Sequence, residues 1–95
     1  MIIAVASENE EVFQHFGHTP EFTIFEIESG SVKNKQAVST EGEGHGALAK
    51  FLLDHGVDLL ICGGIGAGAQ KALADEGIKL VAGVSGKVEG AMSGY

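Results

Sequence analysis

The sequence predicts an α/β protein with a five-stranded mixed sheet flanked by helices. Three apolar runs, at 2–6, 57–62 and 78–82, have the length of strands and the continuous apolar character of strands covered on both faces. Segments with apolar residues at helical spacing lie between and after these runs. The 95 residues, 44% of them hydrophobic, suffice for one compact domain, which we place at 1–95.

The first apolar run is followed by a predicted hairpin, with arms at 22–27 and 31–38. In the first arm, alternation places Phe22 and Ile24 on one face and Phe25 on the other. The second arm is the most polar strand of the chain and carries lysines, which discourage pairing with another chain. We therefore place the second arm at an edge of the sheet.

Three helices are predicted because apolar residues recur three and four positions apart. The first covers about 45–55, and Gly56 suits the left-handed residue that ends many helices. The second follows the glycine-rich segment 63–68 and ends at Gly77. The apolar residues of the third helix are Val88, Ala91, Met92 and Tyr95.

Right-handed crossovers place the five strands in the order 3-2-1-4-5, in which only strand 2 is antiparallel to the others. The order reverses between strands 1 and 4, and α/β proteins bind ligands at such positions. Because strands 1, 3, 4 and 5 run in the same direction, the loops that leave them are expected to meet at one edge. These loops are the segments 7–19, 40–46, 62–68 and 83–86.

Charge and composition exclude several classes of partner. A formal net charge of −7 and a pI near 4.9 argue against nucleic acid, because affinity for phosphates depends on lysine and arginine. The N-terminal residues have no basic stretch, and their apolar run is too short for a signal peptide or a membrane span. A single cysteine cannot form an internal disulfide. We therefore expect a soluble, cytoplasmic protein without nucleic-acid or membrane partners.

The predicted edge carries Cys62, His15, His18 and His45. Thiolate and imidazole ligands suit iron, iron–sulfur clusters, zinc or copper. Cys62, just before a helix, is expected to ionise more easily than a free thiol, and His45 at the start of a helix is expected to stay neutral, the form that binds metal. Several glycines on the same loops let the backbone approach a bulky ligand and offer N–H donors: Gly44, Gly46, Gly63, Gly64 and Gly66.

Each of these residues also has a purely structural interpretation. Cys62 is equally compatible with an inert buried thiol, and His15 and His18 with polar residues of a turn. His45 is compatible with an ordinary first residue of a helix. His55, at a helix C-terminus, is interpreted as structural, since a positive charge is favourable there.

Nucleotide binding and catalysis find less support. The segment 64–69 matches the loose dinucleotide pattern G-x-G-x-x-A, but the next strand lacks the acidic residue that holds a ribose. Two-metal hydrolysis needs carboxylates at the ends of central strands, whereas the first strand is apolar there and the fourth ends in Cys62. No acid is placed to orient a cysteine–histidine pair. We therefore expect that the protein is not an enzyme.

Several motifs together resemble the dinitrogenase iron-molybdenum cofactor biosynthesis family, and the resemblance spans essentially the whole chain. They are the N-terminal I-A-V-A-S, H-F-G-H at 15–18, G-H-G at 44–46, C-G-G-I-G-A-G-A at 62–69 and G-I-K at 77–79. The resemblance implies a ribonuclease H-like α/β fold and the binding or carriage of iron–sulfur precursors of the nitrogenase cofactor. The family often has arginine where His18 stands.

Carried over position by position, the resemblance implies candidate metal ligands at His15, His45 and Cys62. The wider cofactor-binding set that it implies also includes His18, Gly44, Gly63, Gly64 and Gly66.

The leading hypothesis is a non-catalytic protein that binds an iron–sulfur or iron–molybdenum cofactor precursor and carries it between cofactor-donor and cofactor-acceptor proteins. One alternative is a protein-interaction or regulatory module of the same fold without a bound cofactor, in which the cysteine is structural. A further alternative is a binder of a small anion or nucleotide.

Overall fold

A computed structural model describes residues 1–40 and 45–93; positions 45, 46 and 93 are described only as parts of helices. The elements, in chain order, are β1 Ile2–Glu8, β2 Glu11–Val12, β3 Glu21–Glu28, β4 Ser31–Ser39, α1 His45–Asp54, β5 Leu59–Ile61, α2 Ala67–Asp75, β6 Lys79–Val81 and α3 Val88–Ser93. A single 3-10 turn, Phe16–His18, lies between β2 and β3.

Within the described residues, the sheet has six strands. The path across it is β4-β3-β1-β5-β6, with β2 paired to β1 off this path. β3 is antiparallel to β1 and β4, whereas β5 and β6 are parallel to β1. The mixed α/β architecture and the antiparallel orientation of the predicted strand 2 are thus confirmed, but the predicted count of five strands is wrong.

The additional strand, β2, lies inside the segment that was expected to be a loop. Ser7 of β1 pairs with Val12, beyond the part of β1 that pairs with β5. The chain reverses at Asn9 and Glu10, which have φ values of 50° and 66°. Polar residues before Val12 predict a loop, and only the tight reversal, together with the burial of Val12 against the sheet, makes this segment a strand.

The core consists of two clusters, one on each face of the sheet. The strands alternate between them as predicted, with Phe22 and Ile24 on one face and Phe25 on the other. On the first face, Leu48 and Leu52 of α1 and Leu73 of α2 pack against the strands, each 0% exposed. Full burial of a leucine side chain contributes about 2 kcal/mol. The first face is therefore covered by two helices, and the second by the shorter α3, through Val88.

The helix ends follow the predicted glycines. Gly56 and Gly77 have φ values of 69° and 76°, the left-handed conformation expected after a helix. The polar strand β4 lies at one end of the strand order, as predicted. From this edge, Lys35 forms an ion pair with Glu89 of α3. Across 1–40 and 45–93, no helix combines the length and the apolar character that crossing a bilayer requires.

The hairpin between β3 and β4 allows a test of the fold. Ser29 and Gly30 form its two-residue turn, with φ values of 53° and 78°. Such a turn favours Asn-Gly, because asparagine tolerates positive φ better than serine does. We expect Ser29→Asn to raise the free energy of unfolding by about 0.5 kcal/mol, measured by urea denaturation. Ser31→Asn, in exposed β4, is the control and should give no gain; equal effects of the two changes would contradict the turn assignment.

Candidate functional site

The loops that follow β2 and β5 run side by side at the predicted edge. The N–H of Gly64 donates to the carbonyl of Gln14 at 2.8 Å, and the N–H of Phe16 donates to the carbonyl of Gly64 at 3.0 Å. His15 and Gly64 thereby form a short parallel bridge. The predicted meeting of these two loops is confirmed.

The loop after β6 joins the same edge. The N–H of Gly83 donates to the carbonyl of Gly63 at 2.8 Å, and that of Val84 to the carbonyl of Cys62 at 3.1 Å. The loop after β4 begins nearby, where the Thr40 hydroxyl donates to the Thr19 carbonyl at 2.7 Å. Three strand-following loops are therefore joined by backbone hydrogen bonds into one surface.

A cleft of about 340 Å³ lies on this surface. It is lined by Gln14, His15, Phe16, Gly17, Gly64, Ile65 and Gly66. The His15 ring is exposed and packs edge-on against Phe13, with 6.3 Å between the ring centroids. Phe16 is only 1% exposed and anchors the loop against Phe22. The anchor holds the His15 backbone in place while the imidazole remains accessible.

Of the other predicted site residues, His18 lies outside the cleft, whereas Gly44 and the side chain of His45 are not among the described parts of the chain. His18 is exposed at the end of the 3-10 turn but is not among the residues that line the cleft. His45 is the first residue of α1, and its side chain is outside the description; Gly44 lies outside the described residues. The Nδ1–H of His55 donates to the Phe51 carbonyl at 2.8 Å, and the His55 ring stacks on the Phe51 ring, in keeping with its structural interpretation.

Cys62 does not lie on the rim. It is 0% exposed and belongs to the core cluster beneath α1 and α2, because it alternates with Ile61 and points to the first face of the sheet. Burial raises the pKa of its thiol from 9.0 to about 11. The expectation of an accessible thiol that ionises easily is therefore wrong, since desolvation of the thiolate dominates and α2 begins only at Ala67.

The predicted metal-ligand set gains no support from this geometry. Among the described residues, which exclude the His45 side chain, no group of three His, Cys, Asp or Glu could hold a metal ion. The set of His15, His45 and Cys62 stays a prediction.

The glycines of the turn have different roles. A Cβ at Gly64 would lie 2.6 Å from the Gln14 carbonyl oxygen, and a Cβ at Gly63 would lie 2.5 Å from the Gln14 side-chain oxygen. These two glycines therefore let the loops approach each other. At Gly66, by contrast, no described atom lies within 4 Å of such a Cβ. Gly66 faces open space at the cleft, as a backbone contact to a ligand requires.

Gly66 is also the N-cap residue of α2, with extended backbone, and no hydrogen bond from a described side chain caps this helix. The first-turn N–H groups of a helix carry partial positive charge and bind anions. The described lining of the cleft therefore includes one imidazole and the residue at which the amide end of α2 begins, groups that suit a ligand with anionic or sulfide atoms.

Sequence reasoning missed Gln14 and Ile65 as residues of the cleft. Ile65 stands inside the glycine motif, and Gln14 immediately precedes the predicted His15. Neither side chain has a chemical signature, so only their positions next to the motifs could have indicated them.

The buried thiol predicts a pH dependence of stability. Since folding raises the pKa of Cys62 from 9.0 to about 11, its contribution is fully present below pH 9 and is lost as the pH rises towards 11. In that interval we expect stability to fall by about 1.4 kcal/mol per pH unit from this group. Urea denaturation of wild type and Cys62→Ala at several pH values measures the difference. A difference that stays constant from pH 9 to 11 would contradict the raised pKa.

Comparisons with known proteins identify a family and several similar proteins. The family model for dinitrogenase iron-molybdenum cofactor matches residues 1–95. The protein MJ0580 of Methanocaldococcus jannaschii, named only as uncharacterized, is 32% identical over 83 residues, which make up 82% of this chain and 70% of that protein.

Two solved structures are similar throughout. The crystal structure of PH0822 has a TM-score of 0.90 and 34% identity, and the match covers 95% of this chain and 83% of that one. The apo form of the orange protein from Desulfovibrio gigas has a TM-score of 0.82 and 25% identity, with 97% and 83% covered. With the family model matching from end to end, this chain belongs to the dinitrogenase iron-molybdenum cofactor family.

Proposed function

We propose that this chain binds an iron–sulfur or iron–molybdenum cofactor precursor as cargo in the cleft between His15 and Gly66. It holds the cargo for transfer from a donor protein to an acceptor protein. Family membership supports a role connected with this cofactor. The observation that carries the proposal is the cleft itself, a volume of about 340 Å³ that is lined by the exposed His15 and by Gly66, the N-cap residue of α2.

The donors on this surface fit such cargo. The imidazole of His15 is a suitable ligand for iron, and amide N–H groups at the start of α2 can donate to sulfide or oxyanion atoms. One described imidazole lines the cleft, so the described residues supply few bonds to the metal. Weak attachment of this kind allows cargo to leave for an acceptor.

A non-catalytic role is part of the proposal. Among the described residues that line the cleft, His15 is the one titratable side chain, and the remainder are glutamine, phenylalanine, isoleucine and glycines. General acid–base catalysis and nucleophilic catalysis both use paired groups within hydrogen-bonding reach. The composition of the cleft therefore supports binding better than turnover.

The cellular setting follows from the same chemistry. Iron–sulfur precursors and a free thiol such as Cys62 are maintained under reducing conditions, so we propose a cytoplasmic location. A role in nitrogen fixation itself is the most specific form of the proposal and requires cofactor transfer to a nitrogenase.

The burial of Cys62 favours a second candidate, a protein-interaction or regulatory module without a bound cofactor, in which the cysteine is structural. Both candidates use the same fold. We propose that this fold is of the ribonuclease H-like type, in which β2 is a strand additional to the five that were expected.

Metal uptake tests the leading proposal. The protein is incubated anaerobically with ferrous iron, sulfide and molybdate and then passed through gel filtration. We expect wild type to retain iron, which is measured as the number of iron atoms per chain. His15→Ala should retain at least about tenfold less, because the one described imidazole of the cleft is lost. His55→Ala is the matched control, with the same change outside the cleft, and should behave like wild type.

Cys62→Ala distinguishes a site in the cleft at His15 from the predicted ligand set that also includes Cys62. Because the thiol is buried, this variant should retain as much iron as wild type. Selective loss of iron in Cys62→Ala would contradict the assignment to the cleft, and equal, negligible iron in all variants would leave the interaction module as the better candidate.

The close approach of the two loops predicts a contrast between two glycines. Gly64→Ala would place its Cβ 2.6 Å from a backbone oxygen, so we expect it to lower the free energy of unfolding by about 2 kcal/mol or more and to abolish iron retention. Gly68→Ala, within α2, meets no described atom within 4 Å and should stabilise by about 0.5–1 kcal/mol. Denaturant unfolding measures both; tolerance of Gly64→Ala would refute the close approach.

A further inference from the structure

We propose that Gln14 is the positioning residue of the cleft: its main-chain carbonyl holds the glycine turn, and its side chain holds the loop after β6, against the loop that carries His15. The effect on cargo rests on the proposed function, whereas the effect on the geometry of the cleft does not. Gln14 lines the cleft, but its carboxamide is not one of the predicted metal ligands, and the role that we assign to it acts through its neighbours.

The hydrogen bonds of the carboxamide determine its orientation. Its nitrogen, Nε2, donates to the carbonyl of Val12 at 3.1 Å and to the carbonyl of Val84 at 3.1 Å. Both partners are acceptors, so the two N–H bonds of the amide are used and its oxygen cannot replace the nitrogen. A carboxylate or an apolar side chain of the same size cannot make this link.

The link adds a side-chain contact between segments that the main chain also joins, since the N–H of Val12 donates to the carbonyl of Gly86 at 2.8 Å and Glu11 forms an antiparallel bridge with Lys87. Val12 ends β2, and Val84 lies in the loop between β6 and α3. The main-chain carbonyl of Gln14 also accepts the N–H of Gly64 at 2.8 Å. One residue therefore holds the glycine turn with its backbone and the loop after β6 with its side chain, directly before His15.

Gly63 provides an independent observation. A Cβ at this position would lie 2.5–2.7 Å from the oxygen, carbon and nitrogen of the Gln14 carboxamide. The end of a glutamine side chain ordinarily moves away at little cost, but here movement would break two hydrogen bonds. Glycine at 63 is therefore required by the fixed position of Gln14, and the two residues should be energetically coupled.

A double-mutant cycle on the protein without cargo tests this coupling. We expect Gly63→Ala to lower the melting temperature by at least about 5 °C in the wild-type background and by less than half as much in Gln14→Ala. Gly68→Ala, which meets no described atom within 4 Å, should have the same effect in both backgrounds. An equal loss from Gly63→Ala in both backgrounds would overturn the proposal.

A spectroscopic readout distinguishes positioning from general stability. Gln14→Glu keeps the size of the side chain but removes both donors, so its amide NMR spectrum should show shifts at Gly64, Gly66 and Val84. The resonances of Gly30 and Gly56, remote turns of the fold, should stay unchanged. Shifts confined to the immediate chain neighbours of residue 14 would overturn the proposal.

The effect of Gln14 on cargo binding is tested with the same anaerobic iron assay. Gln14→Glu should retain about tenfold less iron than wild type at a temperature where both are fully folded. If wild type itself retains no iron, the proposed function fails, while the double-mutant cycle and the amide shifts still decide whether Gln14 positions the cleft. Undiminished iron in Gln14→Glu would contradict the inference and leave the proposed function standing.

Discussion

The close backbone approach of two loops is the constraint on which the rest of the site depends. The N–H of Gly64 meets the carbonyl of Gln14, and the carbonyl of Gly64 meets the N–H of Phe16. Nothing larger than a hydrogen atom fits at Gly64, because a Cβ would lie 2.6 Å from a backbone oxygen. The cleft, the exposed His15 and the start of α2 are neighbours because these two strand-following segments are in contact.

The same constraint explains why the cysteine and the histidine of the motifs have different environments. The chain leaves β5 with Leu60 and Cys62 on the face that α1 and α2 cover, and the thiol is sealed before the glycine turn begins. His15, on the opposing loop, is held outward because the buried Phe16 beside it serves as the anchor. Adjacent motifs thus contribute one group to the core and another to the surface.

The cleft is also part of the fold's stability. Backbone hydrogen bonds from the loop after β6 reach Cys62 and Gly63, and the Gln14 side chain extends this network to Val84. Because Val84 packs with the cluster that holds α3, a change in the cleft has a physical route to the second face of the sheet.

The sequence by itself determined the alternation of strands and helices, the order of the five predicted strands and the glycines that end α1 and α2, because these follow from local periodicity and backbone preference. It also indicated that the loops that carry His15 and Gly64 lie at one edge, because parallel strands bring their following loops together. Tertiary structure alone decided the burial of Cys62, since exposure at a strand end depends on which helices cover that face. It also decided the sixth strand and the role of Gln14. Whether a polar segment pairs as a strand, and which groups a glutamine side chain bonds, depend on the parts of the chain that pack against them.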